Sequence, residues 1–110
     1  CQIARNGGIF DAPRYILSHL TDDFREMSPE PTYNWCCGGG GGLVALGEDT
    51  LDFRMKSARV KSEQVGKSGA AILATACENC HTQLDNLNEH YKMNVEVRFL
   101  SSMVADALVA

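Results

Sequence analysis

The sequence has no strongly basic segment and no long hydrophobic run, and each absence argues against a class of function. Its 110 residues carry 10 lysines and arginines against 14 aspartates and glutamates, a formal net charge of −4. Nucleic-acid binding normally requires a patch of positive charge, so no nucleic-acid partner is expected. The longest apolar runs, Gly42–Leu46 and Ala70–Cys77, are far shorter than the roughly 20 residues that cross a bilayer. We therefore expect no direct membrane span.

The chain also lacks an initiator methionine and a recognisable signal peptide. Its first residue, Cys1, already belongs to a cysteine pattern that extends along the chain. We expect the chain to be part of a longer protein. Its length predicts a single domain over residues 1–110.

The sequence does contain five cysteines in an uneven distribution. Cys1 is followed by 34 residues, the pair Cys36–Cys37, a further 39 residues and Cys77-Glu-Asn-Cys80. An odd number leaves one thiol over if the others form disulfides, and adjacent cysteines rarely bridge each other because that geometry is strained. Thiolates are soft ligands that suit zinc, copper(I) and iron–sulfur centres. The cysteines therefore predict a metal or redox site rather than a disulfide scaffold.

A run of five glycines, Gly38–Gly42, directly follows the cysteine pair. Glycine lets the backbone approach a bound group closely, and its N–H groups can donate hydrogen bonds to cluster sulfurs. We predict that Gly38, Gly39 and Gly40 bind the cofactor. A flexible linker is the alternative, and it fits less well directly between a cysteine pair and an apolar segment.

The order of elements in the second half predicts an α/β fold. The apolar run Ala70–Ala76 predicts a buried strand, Cys77–Cys80 follows at its carboxyl end, and a helix then leads to a second strand over Val95–Leu100. Ser101 is expected to cap a closing helix. Strand–helix–strand order favours a small parallel sheet with crossover helices. Binding sites on such sheets lie in loops at the carboxyl ends of strands, where these cysteines lie.

The first half predicts helices and loops. Residues 1–10 are expected to form a loop, and a helix beginning near Asp11–Pro13 is expected to continue to Met27, because apolar residues recur at helical spacing. A second helix is predicted from about Thr50 to Lys67, with Gly66 and Gly69 marking its end. Its many charged and polar residues predict an exposed face.

The complete pattern of cysteines resembles the CCG domain, the cysteine-rich domain of heterodisulfide reductases. That family has Cys, thirty-odd residues, Cys-Cys-Gly, thirty-odd residues and Cys-x-x-Cys. Three segments look most like heterodisulfide-reductase-like iron–sulfur subunits of the membrane redox complexes of sulfate reducers: CQIARNGGIFDAPRYIL (Cys1–Leu17), NWCCGGGGGL (Asn34–Leu43) and TACENCHTQL (Thr75–Leu84).

The resemblance implies a [4Fe–4S] cluster, which in the best-understood members is noncubane and held by five cysteines. The matching metal ligands are Cys1, Cys36, Cys37, Cys77 and Cys80, and we assign the catalytic role to Cys36 and Cys37. The implied activity is an oxidoreductase that passes electrons to a disulfide or a related sulfur substrate. The implied partners are electron-transfer proteins and subunits of a membrane redox complex, with a cytoplasmic location peripheral to the membrane.

Three alternatives stay open. The domain could relay electrons between proteins without a substrate of its own. Zinc held by four of the cysteines could stabilise a structural domain, and zinc could also replace a cluster in an air-exposed sample. The segment Cys77-Glu-Asn-Cys80-His81 matches the signature for covalent haem attachment, which explains neither the other cysteines nor the glycines.

Overall fold

The computed structural model describes residues 2–28 and 34–109, in which helices surround a small sheet. None of the helices in these two ranges combines the length and the apolar character needed to cross a membrane. A π-helical turn (Gln2–Asn6) and a 3₁₀-helix (Val44–Thr50) accompany the regular elements, which are α1 (Asp11–Leu20), α2 (Leu51–Ser57), α3 (Arg59–Ser68), β1 (Ile72–Thr75), α4 (Glu78–Tyr91), β2 (Glu96–Phe99) and α5 (Leu100–Ala107). The predicted α/β class is confirmed.

The two strands form a parallel pair, with Leu73 opposite Val97 and Thr75 opposite Phe99. The helix α4 connects them, so the predicted strand–helix–strand unit is present. Since α4 begins shortly after the last residue of β1, the Cys77–Cys80 segment lies at the carboxyl end of that strand. This is the edge of a parallel sheet at which binding sites form.

The turn between α4 and β2 is held by one side chain. Asn88 donates from its Nδ2 to the Val95 carbonyl at 2.7 Å, and its Oδ1 accepts from the Val95 N–H at 3.2 Å. Lys92 and Asn94 adopt positive φ angles of 51° and 57° within this turn. The Asn88 side chain therefore pairs both backbone groups of Val95 and holds the turn that leads from α4 to β2.

The hydrophobic core lies where α2, α3 and α4 pack beneath the sheet. Its buried members are Cys37, Met55, Ala58, Val65, Leu73, Leu84 and Leu87. Removing a large apolar side chain from water contributes about 1.5–3 kcal/mol, so these contacts anchor the elements around them. Cys37 is a member of this core, and the loop that carries the cysteine pair is therefore fixed to it.

The first predicted helix is shorter than expected. It ends at Leu20 because Thr21 is extended, with φ −152° and ψ 147°. The chain then returns alongside α1, where the Arg14 guanidinium pairs with the Glu26 carboxylate at 2.5 Å. The helix buries no residue completely, whereas Met27 packs against the core from the returning segment. The segment after Met27, at which the helix was predicted to end, lies largely outside the described residues.

The second predicted helix is two helices that meet at Ala58. This residue has φ −97° and ψ 10°, which interrupts the helical course. Gly69 follows the last residue of α3 and is left-handed, which confirms it as a marker of the helix end. Gly66, the other predicted marker, was wrong, because it lies within α3. The expected exposed face was partly wrong, because four of its polar side chains are buried: Arg54, Lys61, Ser62 and Gln64. Two smaller expectations were also wrong. Residues 2–6 form a π-helical turn rather than a loop, and α5 begins at Leu100, so Ser101 is not its cap.

Candidate metal centre

Two segments that are distant in sequence carry the four cysteines that the structure describes. Cys77 is the residue preceding α4 and is extended, with φ −121° and ψ 128°. Its N–H donates to the Thr75 hydroxyl at 3.3 Å. Cys80 lies in the first turn of α4, where unpaired backbone N–H groups create a positive potential that favours thiolates. The predicted ligand Cys1 lies outside the described residues.

The tertiary fold brings the second segment, Cys36–Cys37, against the first. The sulfurs of Cys37 and Cys80 are 3.2 Å apart, although 43 positions separate them in the chain. This distance exceeds the roughly 2.05 Å of a disulfide bond, and all four described cysteines are free thiols. The Cys36 thiol lowers the pKa of Cys37, and the Cys77 thiol raises the pKa of Cys80. We call these four thiols, in the order Cys36, Cys37, Cys80 and Cys77, the sulfur row.

The row consists of neighbouring pairs rather than a ring around one point. Within residues 2–28 and 34–109, no three or more cysteine, histidine or carboxylate side chains are grouped as ligands of a single metal ion. The two cysteines of the adjacent pair also face different surroundings, since Cys36 is exposed and Cys37 is buried. One sulfur is thus accessible from solvent and its neighbour is enclosed in the core.

The central pair of the row divides into a thiolate and a thiol. The hydrogen bond from Cys80 lowers the pKa of Cys37 to about 6, against the opposing effect of burial. The Gly39 N–H and the Cys36 thiol lower that pKa further. The same contact with Cys37, together with burial, raises the pKa of Cys80. Cys37 is therefore the thiol of this pair that loses its proton first, and the thiolate is the form that binds metals.

Two of the three predicted cofactor-binding glycines donate hydrogen bonds to sulfur. The Gly38 N–H donates to Cys36 Sγ at 3.3 Å, and the Gly39 N–H donates to Cys37 Sγ at 3.5 Å. The carbonyl of Gly40 instead accepts a turn hydrogen bond from the Leu43 N–H at 3.3 Å. The first two glycines thus place backbone dipoles on the sulfurs, and the third shapes the turn that follows.

Close packing explains why Gly38 and Gly39 have no side chain. A Cβ atom on Gly38 would lie 2.8 Å from the Ala58 Cβ, and Gly38 also has a φ of 88°. A Cβ on Gly39 would lie 2.6 Å from Val44 Cγ2 and 2.8 Å from Gln83 Cβ. All three distances are shorter than any ordinary contact of such an atom. The cysteine loop therefore packs directly on α2 and α4.

Replacing Gly39 by alanine is expected to destabilise the protein by about 2 kcal/mol, because overpacking forces neighbouring atoms to move. Urea denaturation followed by circular dichroism measures this change. Gly40→Ala is the matched control, since its added Cβ meets nothing within 4 Å and should change stability by less than about 0.5 kcal/mol. Equal effects of the two substitutions would contradict the packing of this loop on α4.

A buried polar network holds the cysteine loop from the inside. Gln83 is fully buried, and its Nε2 donates to the Cys37 carbonyl at 2.9 Å. Its Oε1 accepts from Arg54 Nη1 at 2.5 Å. Arg54 is also buried and donates to Asn86 Oδ1 at 3.0 Å, Thr50 Oγ1 at 3.1 Å and the Gly47 carbonyl at 3.1 Å. The guanidinium thus connects the 3₁₀-helix and α4 to the backbone of Cys37.

Sequence reasoning did not identify this network. One signal was present, because Gln83 is a polar residue on the helix face that also carries the apolar residues Leu84 and Leu87. A buried amide normally requires hydrogen-bond partners, so this position could have been chosen as a candidate. No local pattern distinguishes Arg54 from the exposed arginines of the chain.

Lys61 forms a second buried polar contact beside the cysteine loop. It is 4% exposed, and its Nζ donates to Asn34 Oδ1 and lies 3.8 Å from Met27 Sδ. The Arg5 guanidinium donates to the Asn34 carbonyl from the other side. Burial lowers the pKa of Lys61 to about 8, while the nearby cysteines, Cys37 foremost, act in the opposite direction.

His81 follows the Cys77–Cys80 motif and takes part in packing against the sheet. Its ring stacks on Phe99, with centroids 4.2 Å apart and planes inclined by 7°. Its Nδ1 lies 3.3 Å from the Asp85 carboxylate. The histidine of the Cys-x-x-Cys-His sequence is therefore engaged with α4 and β2 on the side of the motif that faces the sheet.

Comparison with known proteins identifies the family to which the chain belongs. The family model described as a cysteine-rich domain (CCG) matches residues 1–85. The chain belongs to the CCG cysteine-rich domain family. The resemblance that was inferred from the motifs is therefore confirmed. No solved structure was found to match the chain significantly.

Three relatives illustrate the range of this CCG domain. One component of the dihydromethanophenazine:CoB–CoM heterodisulfide reductase of Methanosarcina barkeri is 37% identical over 109 residues, which cover 98% of this chain and 26% of the relative. The Hdr-like menaquinol oxidoreductase iron–sulfur subunit 2 of Archaeoglobus fulgidus is 34% identical over 116 residues, 99% of this chain and 20% of the relative. The EtfAB:quinone oxidoreductase of Syntrophomonas wolfei is 26% identical over 88 residues, 76% of this chain and 12% of the relative.

The chain spans about a quarter or less of the length of these relatives. The first two, which match nearly the whole CCG domain, are named as subunits of oxidoreductases, and their names specify different electron carriers, dihydromethanophenazine and menaquinol. These relatives therefore have in common that they belong to oxidoreductases, and their names do not point to one particular reaction.

Proposed function

We propose that this CCG domain binds an iron–sulfur cluster of the [4Fe–4S] type, through Cys36, Cys37, Cys77 and Cys80 together with Cys1. The observation that carries the proposal is the row of four thiols, which two distant segments of the chain form at the carboxyl end of β1. A relative that covers this domain is named as an iron–sulfur subunit. Cysteine thiolates are the usual ligands of such clusters.

The residues present fit such a group in three respects. All four donors in the row are soft sulfurs, which favour iron–sulfur centres over hard cations. Paired sulfurs suit a group with several metal positions better than they suit one tetrahedral ion. The N–H groups of Gly38 and Gly39 already point at two of the sulfurs, and such hydrogen bonds stabilise the negative charge of a thiolate-bound cluster.

We further propose that the domain serves an oxidoreductase that reduces a disulfide or a related sulfur substrate. Reduction of a disulfide to two thiols takes two electrons and two protons, and a bound cluster supplies electrons one at a time. The exposed Cys36 provides the solvent side of the site, where a substrate sulfur can approach. The buried Cys37 provides the inner side, where the backbone is held by Gln83. We assign the catalytic role to these two positions.

The setting of this activity is also a proposal. The relatives are named as subunits of larger oxidoreductases, so we propose electron-transfer proteins and subunits of a membrane redox complex as partners. We also propose a position peripheral to the membrane, on its cytoplasmic side.

Metal and sulfide analysis of anaerobically prepared protein tests the cluster. We expect equal amounts of iron and acid-labile sulfide, each approaching about four per chain, and an EPR signal on reduction. About one zinc per chain with neither iron nor sulfide would overturn the proposal. The test is stoichiometric and therefore does not depend on knowing the substrate.

A second experiment separates an enzyme from an electron relay. The protein is reduced and then supplied with a heterodisulfide or a trisulfide. If the protein consumes the sulfur substrate and loses this activity when Cys36 is replaced, the result supports an enzymatic role. Reduction and reoxidation of the cluster by protein partners, without consumption of any sulfur substrate, would instead support a relay.

A further inference from the structure

Lys61 is a buried cation that lacks a carboxylate partner in the part of the chain that the structure describes. It is 4% exposed and lies on α3, the helix that passes beneath the cysteine loop. No ion pair joins it to an aspartate or glutamate within residues 2–28 and 34–109. Its ammonium instead donates to the Asn34 amide oxygen and lies against the Met27 sulfur. A buried charge is stable only beside groups that compensate its loss of hydration, so the polar and charged groups around Lys61 determine its role.

Among the described residues, the cysteines of the sulfur row favour the charged form of Lys61. Cys37 has the largest such effect, Cys36 and Cys80 act in the same direction, and Arg5 acts against it. Lys61 also donates to Asn34, two positions before Cys36, and Arg5 donates to the Asn34 carbonyl. The lysine therefore contacts the segment that carries the cysteine pair, and its charge acts on the sulfurs of that pair.

We propose that Lys61 is the resident cation of the sulfur site, where its charge stabilises the more negative, reduced state of the bound cluster and its hydrogen bond to Asn34 positions the Cys36–Cys37 segment. This inference rests on the proposed cluster. A fixed positive charge favours the state that has gained an electron, and in an interior that excludes water the effect is larger than at the surface. Lys61 is a positioning residue, since it touches neither substrate nor the sulfurs themselves.

Three substitutions separate the charge from the hydrogen bond. Lys61→Arg keeps the charge, Lys61→Gln keeps a donor for Asn34 but removes the charge, and Lys61→Met removes both. Lys67→Gln is the matched control, because Lys67 is exposed on the same helix and loses the same charge. Each variant is prepared anaerobically, and its iron and sulfide contents are measured first.

The decisive measurement is the midpoint potential of the cluster, from a redox titration followed by EPR. We expect Lys61→Gln to lower the equilibrium constant for one-electron reduction at least tenfold, which is a shift of about 59 mV to more negative potential. Lys61→Arg and Lys67→Gln should stay within a factor of about two of the unsubstituted protein. A cluster-loaded Lys61→Gln variant with an unchanged potential would overturn the inference and leave the proposed cluster intact.

The metal content separates failure of the inference from failure of the proposed function. If the unsubstituted protein binds neither iron nor sulfide, the proposed function fails, and the inference that rests on it fails as well. If Lys61→Met retains the full iron and sulfide content of the unsubstituted protein, the hydrogen bond to Asn34 does not position the Cys36–Cys37 segment.

Discussion

Replacing Cys37 by serine is expected to reduce the bound iron and sulfide at least tenfold. Cys37 lies at the centre of the sulfur row, where its sulfur is 3.2 Å from that of Cys80 and accepts the Gly39 N–H. Groups that merely support a metal ligand already cost 10–100-fold in affinity when they are removed, so the loss of a ligand should cost no less. Iron and sulfide analysis, together with EPR of the reduced protein, measures the effect.

The control for this experiment is Asn79→Ser, which introduces the same side chain between Cys77 and Cys80. Asn79 is exposed in the first turn of α4, and its replacement should leave the iron content unchanged. Far-UV circular dichroism of both variants checks that the fold survives. Full iron and sulfide content in Cys37→Ser would remove Cys37 from the proposed ligand set.

Replacing Arg54 by methionine is expected to destabilise the protein by about 3 kcal/mol, which corresponds to a fall in melting temperature of roughly 15 °C. The guanidinium is 2% exposed and donates to four acceptors, among them the Gln83 amide. Methionine fills much of the volume but leaves these buried acceptors unpaired, and each unpaired group carries a desolvation penalty. Thermal and urea denaturation measure the loss.

Arg59→Met provides the matched control. Arg59 is exposed on α3, and its pair with Glu63, at 3.5 Å, is solvent-accessible on both sides. Such pairs contribute little, so this substitution should change stability by less than about 0.5 kcal/mol. A comparable loss of stability in both variants would show that the buried hydrogen bonds of Arg54 contribute no more than the exposed ion pair of Arg59.

The coupling between Arg54 and Gln83 gives the network a sharper test. If Gln83 connects Arg54 to the Cys37 carbonyl, the loss in the double variant Arg54→Met/Gln83→Leu should be smaller than the sum of the single losses. The difference should be on the order of 1 kcal/mol, because the two side chains share a hydrogen bond. Strict additivity would indicate that they stabilise the fold independently.

The sequence by itself determined the family and the order of the elements in the second half. The spacing of the five cysteines identified the family, since it depends only on residue types and intervals along the chain. The apolar run before Cys77 and the helix after it predicted a strand–helix–strand unit, which is present as β1, α4 and β2. These features are local, because periodicity and turn residues act over a few positions.

The tertiary structure alone decided which polar residues support the row of thiols. Arg54 and Lys61 lie in segments whose charges predicted an exposed face, and both are buried. The contacts that make this burial tolerable come from distant positions, with Gln83 accepting from Arg54 and Asn34 accepting from Lys61. Because a charged residue is stable in the interior only when the opposing surface supplies its partners, no pattern along one helix could reveal it.

The same reason explains the early end of α1. Phe24 and Met27 continue the helical spacing of the preceding residues, yet the chain turns at Thr21 and runs back along the helix. An ion pair between Arg14 and Glu26, and a hydrogen bond from Arg25 to the Ser68 carbonyl, hold the returning segment. The spacing of apolar residues predicts which side chains are buried. Contacts between distant segments decide which backbone conformation brings them to the core.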